Sequence, residues 1–211
     1  RQRQMCIRDS PMTENNTPAL TPEAIEELFN NHRTVNHFTH QEVTDEQLRH
    51  IYDLTKMGPT AYNAQTLRIT FLRSEESRKR LIPTLAEPNQ AKTLAAPVTA
   101  ILAYDTKWFE KFEQFNPRMA ALAENFAHND AAASAVGEAS ALIAIGYFIT
   151  AIRAVGLAAG PMGGVNFETI NQEFFPEGNQ KALLVCNLGY GITPEYPRNP
   201  RFSFEEATDI L

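Results

Sequence analysis

The sequence predicts an α+β domain, a central sheet flanked by helices, on three observations. Amphipathic helical repeats outnumber apolar strand-like runs, the two do not alternate regularly as βαβ units would, and residues 131–160 form an Ala-rich stretch that is almost entirely apolar. The 211 residues, 43% hydrophobic and 21% charged, are enough to bury one core, and no shift in composition divides them.

The first ten residues, RQRQMCIRDS, share no pattern with the rest, and MCIRDS resembles a translated sequencing adapter. Residues 1–20 are therefore expected to be a disordered or artefactual tail, with Met12 as the native start, no signal peptide before it, and one domain over 21–211. Thr21-Pro22 supplies an N-cap with proline at the first helical position, and Ala24, Ile25, Leu28 and Phe29 carry that helix to about Asn31. Thr44 and Gln47 form a capping box for a second helix through Leu48, Ile51, Tyr52 and Leu54, which Gly58-Pro59 ends. LRITFL (67–72), β-branched and aromatic, and the continuous apolar runs PVTAILAY (97–104) and ALLVCNLGYG (182–191) read as sheet-core strands. Helices are expected between the first two strands, from Glu75 to Ile82 and around Asn89 to Leu94. TKWFEKFEQF and RMAALAENF read as surface helices packing through Trp108, Phe109, Phe112 and Phe115.

The long apolar stretch has a charge-free core of 14 residues between Glu138 and Arg153, short of the roughly 20 that a membrane span needs. It reads as a buried central helix whose alanines let neighbours approach closely, with one side available to another subunit.

Charge and cysteine content exclude further classes. The net charge is −6, and without the first ten residues, which carry three arginines and one aspartate, it is −8. With no Lys/Arg-rich run, this argues against a nucleic-acid partner and for a small-molecule ligand. Two cysteines, Cys6 and Cys186, do not make a disulfide framework, and a reducing cytosol fits. No phosphate-loop motif occurs, and Gly189-Tyr190-Gly191 lacks the third glycine of a dinucleotide fingerprint. His37 and His40 lack further ligands at metal spacing, so no metal is assigned, and no GxSxG elbow offers a nucleophile. What remains is a set of short loops. Arg33-Thr34 pairs a guanidinium fork with a hydroxyl, a combination suited to phosphate, and Arg198 and Arg201 could reach the same anion.

RTVNHF, GPTAYNAQTLR, NQAKTLAAPV, GLAAGPMGG, NLGYG and PRFSFEE, in that order over residues 20–211, resemble the FMN-dependent nitroreductase family, and within it the malonic semialdehyde reductase branch. The resemblance implies a nitroreductase-like fold around a mixed sheet, bound FMN, NADH or NADPH as hydride donor, and a homodimer with two sites, each built from both subunits. It implies that Arg33 and Thr34 grip the FMN phosphate and that Arg201 closes on it, with Asn36 standing where relatives have a basic residue. Pro59, Thr60, Ala61, Asn63 and Gln65 would lie along the flavin, where bulky side chains would block its approach. Asn89 and Lys92 would face the pyrimidine edge, Lys92 stabilising the charge of the reduced ring. Pro161, Met162, Gly163 and Gly164 match the loop near N5, with Gly163 where many relatives have Glu. No side-chain proton donor is assigned; Tyr62 and water are the candidates. The expected reaction is reduction of malonic semialdehyde to 3-hydroxypropanoate by ping-pong hydride transfer in the cytoplasm. VGEASALIAIGY lacks the polar pattern of that branch, which keeps open a nitroaromatic or quinone reductase, and the departures at Asn36 and Gly163 keep open a flavin-binding protein without efficient turnover.

Overall fold

The computed structural model describes residues 20–211, so all of the expected tail but its last residue, Met12 included, lies outside the described residues. Four strands, β1 (Leu67–Leu72), β2 (Val98–Asp105), β3 (Ala158–Met162) and β4 (Gln180–Gly189), form one sheet in the order β1-β2-β4-β3. The mixed sheet implied by resemblance is antiparallel in all three pairings. The connections β1–β2 and β3–β4 return to the end of the sheet they left, as where Leu72 at the end of β1 faces Thr99 at the start of β2 although two helices lie between them, whereas the connection from β2 to β3, which contains the long helix Asp130–Ala154, crosses from the Asp105 end to the Gly189 end. The two directly joined pairs of neighbours therefore reverse as in a hairpin, and β2 and β3, which run the same way, are kept apart by β4 between them.

The helices are α1 (Pro22–Ile25), which widens into a π-helical segment Glu26–Asn31, α2 (Asp45–Thr55), α3 (Glu75–Leu81), α4 (Glu87–Ala95), α5 (Phe112–Phe115), α6 (Leu122–Ala127), α7 (Asp130–Ala154), α8 (Phe167–Phe174) and α9 (Phe204–Ala207). Thr44 caps α2 as expected: its hydroxyl accepts from the Gln47 N–H and the Gln47 side chain accepts from the Thr44 N–H. Such a cap contributes about 1 kcal/mol.

The sheet separates two apolar layers, and β2 is buried on both faces because its alternate side chains serve both. Val98, Ala100 and Leu102 pack with Ile145, Phe148 and Ile152 of α7 and Leu48 and Ile51 of α2. Ile101 and Ala103 join Leu81, Leu85, Ile170 and Phe175 on the other side. Complete burial of side chains such as Phe148, Ile152 and Ile170 stabilises the fold by about 1.5–3 kcal/mol each. A third cluster joins Trp108 and Phe112 to Phe126, and the Trp108 indole donates to the Ala133 carbonyl of α7 at 2.9 Å. The two surface helices read from the sequence are thereby fastened to the N-terminal half of the long helix.

The apolar stretch 131–160 is not one helix. The helix ends at Ala154, Gly156 takes a left-handed φ of 78°, and the chain enters β3, a strand that takes its first three residues from the expected helix and its last two, Pro161 and Met162, from the expected loop. α7 is long and apolar enough to cross a membrane by length and composition, yet one side of it packs the core of the domain. Leu142, Ile143 and Tyr147 on another side are 50%, 49% and 45% exposed, which leaves an apolar strip uncovered in the single chain.

Candidate functional site

The segment after α1 is pulled against the sheet by its backbone. The Val35 N–H donates to the Ala159 carbonyl at 3.2 Å, Thr39 N–H to Tyr190 at 2.8 Å, and Ile192 N–H to His37 at 2.9 Å. Close approach needs glycine opposite: a Cβ on Gly160 would stand 2.6 Å from the Val35 carbonyl oxygen, and one on Gly191 2.5 Å from the Ala158 Cβ. These contacts fix Arg33, Thr34 and Asn36 at the sheet end where β3 begins and β4 finishes.

The C-terminal segment returns to the same place. Arg198 donates to the carbonyls of Asn30 and His32 at 2.6 and 2.8 Å. Arg33 donates to the carbonyls of Pro194, Tyr196 and Pro197. Between the segments lies a cavity of 170 Å³ lined by Arg33, Thr34, Tyr196, Arg198, Asn199 and Arg201. Three arginines and the hydroxyl-bearing Thr34 and Tyr196 line it, and no carboxylate does. The lining has the charge and the donor types that suit an anion such as a phosphate, although each arginine also donates to backbone carbonyls. The neighbouring His32 imidazole has its pKa lowered, chiefly by burial, with the Arg153 charge adding to the shift and Glu27 opposing it.

A second group lies beside it. Lys92, in the last turn of α4, donates to the Asn36 side-chain oxygen at 3.1 Å. Asn89, one turn earlier, donates to the Gly164 carbonyl at 3.0 Å, and the Ala86 N–H reaches the same oxygen at 3.0 Å. Pro161 and Met162 form the end of edge strand β3, where a proline is tolerated, and Gly163 and Gly164 follow it. The Thr93 hydroxyl donates to the Met162 sulfur at 3.7 Å and accepts from the Asn187 amide at 3.1 Å, which fixes α4 to the sheet. Asn36 thus belongs with Lys92; the cavity among the arginines is lined without it.

The remaining predicted loop stands elsewhere. Pro59, Thr60, Ala61, Asn63 and Gln65 lead into β1, whose first residue pairs with Tyr104 at the far end of β2 from Thr99 and Asn187. Five residues of strand separate the two ends, about 17 Å, and β1 and β3 are opposite edges, about 14 Å apart across three strand spacings. One chain therefore does not bring the loop to Lys92 and Arg33.

The loop itself is strained and held. Tyr62, Asn63 and Gln65 have left-handed φ values of 57°, 56° and 50°, costs of about 1–3 kcal/mol each that tend to mark functional segments. The Asn63 amide donates to the Phe115 carbonyl at 2.8 Å, the Gln65 amide to the Asn63 side-chain oxygen at 2.7 Å, and Asn116 to the Tyr62 carbonyl at 2.9 Å. Asn63 and Gln65 therefore shape the loop, a task invisible in the sequence. The Tyr147 ring covers Gly58, where a Cβ would meet it at 2.8 Å. Beside this loop a cleft of 590 Å³ opens, lined by residues including Tyr52, Thr60, Gln65, Phe71, Lys111 and Phe115.

A model of the Nitroreductase family matches residues 29–190, and the chain belongs to that family. It is 40% identical over 195 residues to a Ralstonia nicotianae protein named as a candidate NADH dehydrogenase/NAD(P)H nitroreductase, covering 92% of this chain and 100% of that one. A Streptomyces coelicolor protein with the same kind of name is 42% identical over 193 residues, 91% of this chain and 98% of the other. Two solved structures share the fold. A nitroreductase from Bacillus subtilis aligns with a TM-score of 0.80 at 15% identity over 90% of this chain and 99% of that one. One from Exiguobacterium sibiricum, solved in complex with FMN, aligns with a TM-score of 0.78 at 16% identity over 89% and 97%.

Proposed function

We propose that this chain is a cytoplasmic FMN-dependent NAD(P)H oxidoreductase acting as a homodimer, with 3-oxopropanoate (malonic semialdehyde) as its acceptor and 3-hydroxypropanoate as its product. The observation that carries the reading is the meeting of Arg33, Thr34, Arg198 and Arg201 around one acid-free cavity beside Lys92, a phosphate grip next to a cation. The FMN named with the Exiguobacterium structure, and the NAD(P)H in the names of the two relatives, support the choice of cofactor and donor.

When bound, FMN would accept two electrons from the nicotinamide as a hydride and deliver them to the acceptor. The chain's own residues bind and orient. Arg33, Thr34 and Arg201 hold the phosphate, and Lys92 sets a positive charge at the pyrimidine edge. The Asn89 amide nitrogen is already bound to Gly164, so its oxygen is the group it offers to the ring. Pro161 and Met162, with Gly163 and Gly164 after them, supply a backbone edge without bulk near N5. Pro59, Thr60, Ala61, Asn63 and Gln65 stand far from that group within one chain, and they serve the flavin held by the other subunit. The uncovered strip of Leu142, Ile143 and Tyr147 supports such a pairing. In the acceptor, hydride adds to the aldehyde carbon and a proton to its oxygen; no side chain is assigned as the proton donor.

The nitroreductase names of the relatives and the apolar opening of α7 favour a second acceptor class, nitroaromatics and quinones. The experiment is to load the purified protein with FMN, bleach the flavin with NADPH or NADH without oxygen, and measure reoxidation by each acceptor. Rapid reoxidation by 3-oxopropanoate with formation of 3-hydroxypropanoate supports the first reading. Reoxidation by nitroaromatics or quinones alone rejects that substrate and keeps the oxidoreductase. Failure to bind FMN rejects both.

A further inference from the structure

We infer that Asn36 is a positioning residue for Lys92: it aims the ammonium group while leaving its full charge available to the flavin. The inference rests on the FMN reading, and on contacts that belong to this chain. Lys92 Nζ donates to Asn36 Oδ1 at 3.1 Å. Both ends of that bond are held from outside. Asn36 follows Val35, whose N–H is bound to Ala159, and Lys92 precedes Thr93, which is bonded to both Met162 and Asn187. A lysine has four rotatable stem bonds and a compact charge, so without an anchor its head samples many positions. Here the anchor is a neutral amide.

The chemistry of that anchor decides what Lys92 can do. Among the described residues no carboxylate lies within 4.0 Å of the Lys92 ammonium, so its charge has no direct ion-pair partner. A carboxylate at position 36 would orient the ammonium equally well but cancel most of its field at the ring. A basic residue there, as the resemblance implies for relatives, would bring a second positive charge but no acceptor for the ammonium. An amide oxygen orients it by a hydrogen bond and leaves the charge intact, which is what stabilising negative charge on a reduced ring requires. Asn36 therefore acts on the flavin's reduction potential through Lys92.

The test compares the FMN-loaded wild-type protein with Asn36→Asp, Asn36→Leu and Asn36→Gln by flavin midpoint potential, FMN affinity and thermal midpoint. Asn36→Asp is expected to lower the preference for reduced over oxidised flavin at least tenfold, a fall of about 30 mV in a two-electron potential. Asn36→Leu, which frees the ammonium, is expected to lower it less, and Asn36→Gln to retain most of it. Should the Asp variant fail to hold FMN, the Leu and Gln pair decides the matter by the same difference. Thermal midpoints and FMN affinities that fall while every potential stays at the wild-type value would show Asn36 to be structural only, and would overturn the inference. A wild-type protein that does not bind FMN would overturn the proposed function as well, so the two failures are distinguishable.

Discussion

The Arg33 guanidinium lies over the Tyr196 ring, 4.8 Å from its centroid, while donating to backbone carbonyls on both sides of that residue. Residues 163 positions apart in the chain are thereby joined at the edge of the anion cavity. A lysine would keep the charge but lose the fork and the stacking surface. Arg33→Lys is therefore expected to weaken FMN about 10- to 100-fold, the range of a lost charge-assisted hydrogen bond of about 1.5–3 kcal/mol. Quenching of flavin fluorescence measures it, with riboflavin, which has no phosphate, as the control. Equal losses for FMN and riboflavin would remove the phosphate from this cavity.

Gly160 stands where any side chain would press on backbone. Its Cβ would lie 2.6 Å from the Val35 carbonyl oxygen, and a backbone oxygen cannot swing aside as a side-chain tip can. Gly160→Ala is expected to cost about 1–3 kcal/mol in urea-induced unfolding and to weaken FMN binding, because Arg33, Thr34 and Asn36 flank the displaced residue. Unchanged stability together with unchanged FMN affinity would mean that the 33–39 segment is not held in register by β3.

Much of this was legible in the sequence where one signal acts locally. Thr44 and Gln47 announce their cap, and the unbroken apolar run of β2 announces a strand in the core of the sheet. Arg33, Thr34, Arg198 and Arg201 carried their own chemistry, and the fold brings them together. β3 was hidden because Ala158–Met162 is short, holds a glycine and a proline, and lacks the β-branched residues that mark strands. The left-handed backbone at Tyr62, Asn63 and Gln65 was hidden because no glycine marks it; hydrogen bonds to the α5 region hold it instead. The separation of the 59–65 loop from Lys92 follows from strand order and register, which are set by contacts between residues remote in sequence.

That separation makes the oligomeric state a functional variable. Ile143 lies on the uncovered strip of α7, between Leu142 and the exposed Tyr147 just over one turn on. Ile143→Asp would place a charge in the apolar centre of the proposed interface, a desolvation that the pairing of two copies does not compensate. Light scattering after size exclusion is expected to give a dimer for the wild type and a monomer for the variant. The monomer should also bind FMN at least tenfold more weakly, having lost the 59–65 loop of its partner. A variant that is monomeric but binds FMN with wild-type affinity would show that one chain builds the whole site.

Cys186 is fully buried between the sheet and α7, and burial pushes its thiol pKa up from 9.0 to about 12, with a hydrogen bond from the Gly160 backbone acting the other way. The folded state thus favours the protonated thiol. Its contribution to stability is whole below pH 9 and is lost as pH rises from 9 towards about 12, where the folded form ionises too. Two outcomes follow. At pH 8 iodoacetamide should leave the Cys186 peptide unmodified in the folded protein and modify it in urea, read by mass spectrometry. The stability difference between the wild type and Cys186→Ala should be flat up to pH 9 and then shift steadily against the wild type, since only the wild type has this thiol to ionise. Rapid labelling of Cys186 in the folded protein, or a difference that stays flat above pH 9, would mean that solvent reaches the centre of the sheet.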